Sequence, residues 1–105
     1  MLAEGRNQND AAVKERVVTK QQEPTLYKVL LLNDDYTTME FVIDVLETVF
    51  QKGPAEAYQI MMHVHLNGRG LAGVYPWEVA DTKADKVAAL AAEAGFPLRA
   101  TIEEA

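Results

Sequence analysis

The chain has 105 residues, of which 49% are hydrophobic, and a formal net charge of −6. This length fits one domain with a modest core and leaves no room for a large catalytic cleft between two domains. The acidic balance argues against a nucleic-acid partner, because phosphate binding requires a clustered cationic surface. The chain has no cysteine, which excludes disulfides and thiolate chemistry.

Residues 1–24 differ in composition from the remainder of the chain, with many polar and charged side chains and few large apolar ones. Such a segment buries too little apolar surface to offset the entropy lost on ordering, so we predict a flexible N-terminal extension. Residues 25–105 are then expected to form one folded domain. The first residues lack the apolar stretch of a signal peptide and no segment has the length of a membrane span, which indicates a cytoplasmic protein without a membrane partner.

The first predicted elements are a buried strand over residues 27–32 and a helix that follows it. The strand is short and aliphatic, and it is bounded by a proline on one side and by one amide and two carboxylates on the other. Thr37 and Glu40 have the spacing of a capping box, which predicts that the helix begins there. Its apolar face has helical spacing and comprises Met39, Val42, Ile43, Leu46, Val49 and Phe50.

A second helix is predicted to begin at Gly53-Pro54, where the first one ends, because proline suits the first position of a helix. It is expected to end near Asn67-Gly68. The short connection predicts that the two helices pack antiparallel. The apolar face of the second helix comprises Ala57, Ile60, Met61 and Val64.

The rest of the chain is predicted to add a strand over residues 71–75, a helix over residues 78–94 and a strand over residues 97–102. Gly95 supplies the left-handed position at which helices commonly end. The inner side of this third helix is predicted to comprise Val79, Lys83, Val87, Leu90 and Ala94. The expected fold is a single α+β domain of order β-α-α-β-α-β, in which a three-stranded antiparallel sheet packs against three helices.

The clearest candidate site is the polar cluster Asn33-Asp34-Asp35, at the end of the first strand and beside the start of a helix. Two carboxylates next to an amide suit a divalent cation, a phosphorylatable aspartate or an ammonium group. No further oxygen ligands stand at a metal-loop spacing, and the five-stranded fold of a phosphorylated receiver has too few strand candidates here. An ammonium site and a plain Asx-type turn that caps the helix both remain open.

His63 and His65 cannot chelate one metal ion from a helix, because residues two apart lie about 200° around the helix axis. We therefore predict no metal site, with His65 one turn after Met61 near the apolar face and His63 pointing elsewhere. Met39 and Met61 flank the acidic turn, where they fit either core packing or an adaptable apolar pocket. With neither serine nor cysteine in the chain, the usual nucleophilic triads are unavailable, which weakens the enzyme hypotheses. No cofactor is predicted.

Six short motifs, which occur in order at several separated places along the chain, carry a resemblance to a known family. They are Asn33-Asp34-Asp35-Tyr36-Thr37, Met39-Glu40-Phe41-Val42, Met61, Val64-His65, Gly73-Val74 and Glu78-Val79-Ala80-Asp81-Thr82-Lys83. Together they resemble ClpS over residues 26–105. ClpS proteins are adaptors that deliver N-degron substrates to the ClpA unfoldase of the ClpAP protease. The resemblance therefore implies a non-enzymatic adaptor for proteins that begin with Phe, Tyr, Trp or Leu.

The resemblance also implies roles for individual residues. The substrate's α-amino group is expected to be bound by Asn33, Asp34 and His65. The pocket for the first side chain is expected to be lined by Asp35, Thr37, Met39, Met61, Val64 and Leu98. Met39 is expected to narrow the entrance against β-branched residues. Glu78 and Lys83 are expected to dock on the N-terminal domain of a ClpA-type unfoldase, which engages the N-terminal extension during delivery.

Three positions depart from the family pattern. Thr38 stands where proline is common, Ala72 stands where cysteine is frequent, and Arg99 is unusual beside Leu98. These differences are compatible with a family member of narrowed residue preference. The alternative from another functional class is a ribosomal-stalk-like interaction domain of the same architecture without a ligand pocket, and a truncated signalling receiver is a third hypothesis.

Overall fold

The computed structural model describes residues 24–105, which form six helices and strands. They are strand β1 (Leu26–Leu32), helix α1 (Met39–Thr48), helix α2 (Pro54–Asn67), strand β2 (Arg69–Pro76), helix α3 (Trp77–Ala94) and strand β3 (Arg99–Glu104). The predicted order β-α-α-β-α-β and the α+β class are confirmed. The predicted flexible extension over residues 1–24 lies outside the described residues, except for its last residue.

Strand β1 is the centre of a three-stranded antiparallel sheet with the order β2-β1-β3. The register between β1 and β2 shifts after Val29, where Ala72 is the extra residue of a β-bulge. Pairing then continues to the last residue of β1, Leu32, which lies between Arg69 of β2 and Arg99 of β3. The loop that follows β1 therefore leaves the sheet from its middle strand.

The hydrophobic core lies between one face of the sheet and the three helices. Val29 and Leu31 of β1 are fully buried on this face, because alternate residues of a strand point to the same side. Burial of apolar surface here is the main favourable contribution to folding. The buried helix residues are Val42, Val45 and Leu46 of α1, Ala57, Met61 and Val64 of α2, and Ala80, Val87 and Ala91 of α3.

The inner face of α3 is rotated relative to the prediction. Val87 is buried as expected, but Val79 and Ala94 are exposed, whereas Ala80 and Ala91 are buried. Small side chains at the contact let a helix approach its neighbour more closely, which Ala80 and Ala91 do in α3, whereas other alanines of this helix are exposed.

Helix α1 ends at Thr48, earlier than the glycine–proline pair that was predicted to end it. Val49 and Phe50 lie beyond the helix and are still buried in the core. Gln51 then turns the chain with a left-handed φ of 55°. The apolar periodicity runs past the end of the helix because these residues contact the core from irregular backbone, and this made the predicted boundary wrong.

Both ends of α2 and the end of α3 follow the predicted signals. Gly53 is the N-cap of α2 and Pro54 is its first residue. Gly68 and Gly95 end α2 and α3 with left-handed φ values of 92° and 82°, which glycine adopts without the steric cost that a Cβ brings. Among residues 24–105, no helix combines the length and the apolar composition needed to cross a membrane.

Candidate functional site

A cavity of about 230 Å³ lies at the end of β1, where the β1–α1 loop meets α1 and α2. Its lining residues are Asn33, Asp34, Asp35, Thr37, Met39, Val42, Met61, Val64 and His65. These include every residue predicted to contact an amine or a first side chain, except Leu98. Leu98 is 4% exposed and belongs to the same buried core cluster as Met61 and Val64, so its place in the pocket wall stays a prediction.

The carboxylate of Asp34 holds the β1–α1 loop in a tight turn. Its Oδ1 accepts hydrogen bonds from the backbone N–H of Tyr36 at 2.8 Å and of Thr37 at 2.7 Å, and its Oδ2 accepts one from the Thr37 hydroxyl at 2.7 Å. Burial raises the pKa of this carboxyl, but the hydrogen bonds from Thr37 and Tyr36 outweigh burial and leave the pKa below its ordinary value. The Asx-type turn is therefore present, and it keeps a negative charge at the cavity.

Helix α1 is capped by Thr38 and not by Thr37, the residue predicted to open a capping box. The backbone of Thr38 is extended, and its hydroxyl accepts a hydrogen bond from the backbone N–H of Phe41 at 3.1 Å. Thr37 does not cap the helix because its hydroxyl donates to Asp34. As a consequence, Met39 is the first residue of α1 and lies at the cavity.

The polar rim of the cavity carries acceptor atoms that are free for a ligand. The backbone N–H of Asn33 donates to the carbonyl of Gly68 at 2.9 Å, which ties the end of β1 to the end of α2. The side chains of Asn33, Asp35 and His65 belong to exposed residues and make no hydrogen bond or ion pair with another of the described residues. An amide oxygen, a carboxylate and an unprotonated ring nitrogen can each accept a hydrogen bond from a ligand.

The apolar wall of the cavity is continuous with the hydrophobic core. Val42, Met61 and Val64 are buried core residues, whereas Met39 is 44% exposed. Val42 was not predicted as a wall residue. It follows Met39 by three positions, which places both side chains on one face of α1, and that spacing is the signal that could have found it.

The two histidines of α2 point in different directions, as their spacing predicts. His65 lines the cavity, whereas the Nδ1 atom of His63 lies 3.1 Å from the Nδ2 atom of Asn67. In the part of the chain that the structure describes, no three His, Asp or Glu side chains are grouped so that they could hold a metal ion. The rim therefore offers acceptors to a ligand without forming a metal centre.

A second surface feature is a groove of about 300 Å³ on α3, which we call the α3 groove. It is lined by Glu78, Val79, Thr82, Lys83 and Lys86. The two residues predicted to dock on an unfoldase, Glu78 and Lys83, thus lie on one surface. The α3 groove and the cavity have no lining residue in common.

The ammonium group of Lys83 donates hydrogen bonds to other residues of the domain. Its Nζ donates to the backbone carbonyl of Val49 at 2.6 Å and to Oε1 of Gln51 at 3.0 Å, and it lies 5.2 Å from the centroid of the Tyr75 ring. Burial, followed by the nearby charge of Lys86, lowers the pKa of Lys83. Lys83 therefore ties α3 to the irregular segment after α1.

Comparisons of the sequence with known proteins agree over most of the chain. The family profile described as "ATP-dependent Clp protease adaptor protein ClpS" matches residues 22–101. A Wolinella succinogenes protein named ATP-dependent Clp protease adapter protein ClpS is 47% identical over 104 residues, covering 99% of each chain. A protein of the same name from Maricaulis maris is 54% identical over 93 residues, covering 89% of this chain and 84% of the relative.

A solved structure has the same fold. "The structure of Agrobacterium tumefaciens ClpS2 bound to L-phenylalaninamide" is 44% identical in sequence and superposes with a TM-score of 0.76. The match covers 79% of this chain and 100% of that chain. The fold, the relatives and the family profile all support the resemblance that the sequence motifs carried. The chain therefore belongs to the ClpS family of ATP-dependent Clp protease adaptor proteins.

Proposed function

We propose that this protein is a non-enzymatic adaptor that binds the first residue of its substrates in the cavity. The observation that carries this proposal is the combination of a negatively charged polar rim and an apolar wall in one cavity. L-phenylalaninamide, the ligand named for the relative from Agrobacterium tumefaciens, has a free α-amino group and a phenyl ring, which match those two parts. The preferred first residues are Phe, Tyr, Trp and Leu.

The substrate's α-amino group binds at the rim through Asn33, Asp34 and His65. An ammonium group has three donors and no acceptor, so its site needs acceptors that converge on one point. The amide oxygen of Asn33 is one, and a ring nitrogen of His65 is another while it carries no proton. Oδ2 of Asp34 accepts only one hydrogen bond from the loop, which leaves it able to accept another. The carboxylate of Asp35 adds negative charge at the same rim.

The first side chain enters the apolar part of the cavity, beside Thr37, Met39, Met61 and Val64. A dry protein cavity of roughly 150 Å³ holds benzene, so a volume of about 230 Å³ accommodates one bulky side chain. Burial of that side chain contributes about 1.5–3 kcal/mol, and each hydrogen bond to the ammonium contributes about 1.5–3 kcal/mol. The sum corresponds to roughly micromolar binding before association costs, which suits an adaptor that must release its substrate.

Delivery is proposed to use the α3 groove. Membership of the ClpS family supports a Clp protease as the partner. The motif resemblance implies that the contact is made with the N-terminal domain of ClpA, the AAA+ unfoldase of ClpAP. We propose that delivery takes place in the cytoplasm. Glu78 is exposed on the groove, where it suits a direct contact with that domain. Because the groove and the cavity have no lining residue in common, the adaptor can hold a substrate and the unfoldase at the same time.

The other hypotheses account less well for the observed architecture. A ribosomal-stalk-like interaction domain has the same small α+β fold but gives no reason for a cavity with free acceptors beside a buried apolar wall. A truncated signalling receiver requires a parallel, doubly wound sheet. The strands in residues 24–105 form an antiparallel three-stranded sheet instead, which excludes that fold for the described domain.

Titration of fluorescent peptides that differ only at the N-terminus tests the proposed function. Peptides that begin with Phe or Leu are expected to bind saturably with a Kd of roughly micromolar order, and a peptide that begins with Val is expected to bind about tenfold more weakly or worse. Acetyl-Phe is expected to show no saturable binding, because acetylation removes the charge and the donors that the rim recognises. Equal binding of the acetylated and free peptides would exclude an amine site.

Two single variants are expected to separate docking from stability on α3. Glu78→Ala is expected to weaken binding to the unfoldase's N-terminal domain while the free energy of unfolding stays unchanged, because the carboxylate has no partner among the described residues.

Lys83→Ala is expected to lower the free energy of unfolding by about 1–2 kcal/mol, since it removes the charged hydrogen bond to the carbonyl of Val49. Chemical denaturation and a pull-down with the unfoldase domain measure both effects. Full unfoldase binding by Glu78→Ala would remove Glu78 from the docking surface.

A further inference from the structure

Three large apolar side chains form an exposed stripe on α2, which we call the α2 stripe. Tyr58, Met62 and Leu66 recur at intervals of four residues, so they lie in one row along the helix. Tyr58 is 55% exposed and Leu66 is 72% exposed, while Met62 between them is partly buried against the core. A continuous row of this kind is more typical of a contact surface than single exposed apolar residues, which are common on any protein.

The α2 stripe lies in a segment of the helix without charged residues. Residues 57–68 contain no Asp, Glu, Lys or Arg, although such residues make up 25% of the chain. A solvent-exposed helix surface normally carries charged side chains on its outer face. An apolar ligand that covers this segment of α2 therefore does not remove water from an ionic group of the segment itself.

The α2 stripe adjoins the cavity. Met61 and His65, which line the cavity, form the neighbouring row of the same helix. Met62 lies three positions before His65, and Tyr58 lies three positions before Met61, so the two rows are in contact along the helix. A ligand that leaves the cavity past His65 therefore arrives on the stripe.

We propose that the α2 stripe binds the two residues that follow a substrate's first residue and favours apolar side chains at those positions. This inference rests on the proposed function, because it takes the cavity as the site of the first residue. The cavity has room for one bulky side chain, so the rest of the substrate must leave through the rim. On the side of the β1–α1 loop the chain would instead pass Asp34 and Asp35, whose charges do not favour apolar side chains.

The inference can be tested with two peptides that both begin with Phe and carry either Leu-Leu or Ser-Ser at the next two positions. The unmodified protein is expected to bind the Leu-Leu peptide about fivefold more tightly, as expected for partial burial of leucine side chains. Leu66→Ser is expected to bring the ratio of the two affinities close to one. Leu71→Ser is the matched control, because Leu71 is 43% exposed on β2 and does not line the cavity; this variant is expected to keep the ratio.

Binding of phenylalaninamide, which has no second residue, tests the first-residue site in the cavity independently of the α2 stripe. If it binds and the two peptides bind equally to the unmodified protein, the role of the α2 stripe is refuted while the cavity site stands. If it does not bind, the first-residue site and the stripe fall together. If Leu66→Ser still prefers the Leu-Leu peptide, the α2 stripe does not bind these residues. If Leu71→Ser also loses the preference, the effect is not specific to the stripe and the proposal is contradicted as well. A change of oligomeric state in Leu66→Ser at an unchanged ratio would instead identify the stripe as a contact between copies of this chain.

Discussion

Replacing Asp34 with alanine is expected to weaken binding of a Phe-initiated peptide about tenfold or more and to lower the free energy of unfolding as well. Both effects have one origin, because the same carboxylate supplies negative charge to the rim and accepts three hydrogen bonds from the loop. In the alanine variant the backbone N–H groups of Tyr36 and Thr37 lose their acceptor. Fluorescence titration and chemical denaturation of the same preparation measure the two effects.

Two conservative variants separate the charge of Asp34 from the turn that it holds. Asp34→Asn keeps an oxygen that can accept from the N–H groups of Tyr36 and Thr37 but carries no charge. It is expected to lose peptide affinity nearly as far as the alanine variant and to lose less stability. Thr37→Val keeps the charge, removes the hydroxyl bond at 2.7 Å and is expected to cost about 1 kcal/mol of stability with little loss of affinity. Unchanged affinity in both Asp34 variants would mean that the acidic turn is only structural.

The stability that Asp34 contributes is expected to depend on pH in one direction. Its pKa in the folded state lies below 3.8, the ordinary value that applies to the unfolded chain. As the pH falls, the unfolded state therefore takes up the proton first, and the contribution is lost as the pH falls through the folded-state pKa. The difference in unfolding free energy between the unmodified protein and Asp34→Asn is expected to be constant above about pH 5 and to shrink at lower pH.

The order of the helices and strands could be predicted because several helix ends have a cause in the local sequence. Proline is unfavourable in the interior of a helix, so Pro54 marks a helix start. Gly68 and Gly95 adopt a left-handed conformation that is unfavourable for most other residues, so they mark helix ends. The end of α1 had no such local signal. Val49 remains buried after the helix has ended, and its backbone carbonyl accepts a hydrogen bond from Lys83 of a distant helix. Contacts between remote segments decide a boundary of this type, and a periodic pattern does not contain them.

In the candidate site, too, the local sequence predicted the position of the site, whereas contacts in the folded structure decided its details. The cluster of Asn33, Asp34 and Asp35 marked the site, but its residue types left both an ammonium site and a turn open. The two alternatives are compatible, since three hydrogen bonds from the loop do not use all the acceptor capacity of the Asp34 carboxylate. Which of two successive threonines caps α1 depended on where this carboxylate points, because the hydroxyl of Thr37 donates to it and Thr38 is left to cap the helix.

Met39→Ala is expected to change which first residues the cavity admits. Met39 is half exposed at the first position of α1 and lines the cavity, so its side chain limits the space next to the bound backbone. Valine and isoleucine branch at Cβ and are widest at that point, whereas Phe and Leu are not. A Val-initiated peptide is expected to gain about tenfold in affinity, while a Phe-initiated peptide loses about threefold because it loses an apolar contact.

Met39→Ala tests selectivity without changing the loop that forms the rim of the cavity. The start of α1 is held by the Thr38 hydroxyl and not by the methionine side chain, so the loop keeps its conformation in Met39→Ala. Leu71→Ala is the control, because it removes an exposed apolar side chain of β2 that belongs neither to the cavity lining nor to the α2 stripe, and it is expected to leave the ratio of Val to Phe affinity unchanged. If Met39→Ala keeps the ratio of the unmodified protein, selection against β-branched residues must arise deeper in the cavity, at the buried wall of Val42, Met61 and Val64. In that case a smaller residue at Val42 is expected to change the ratio instead.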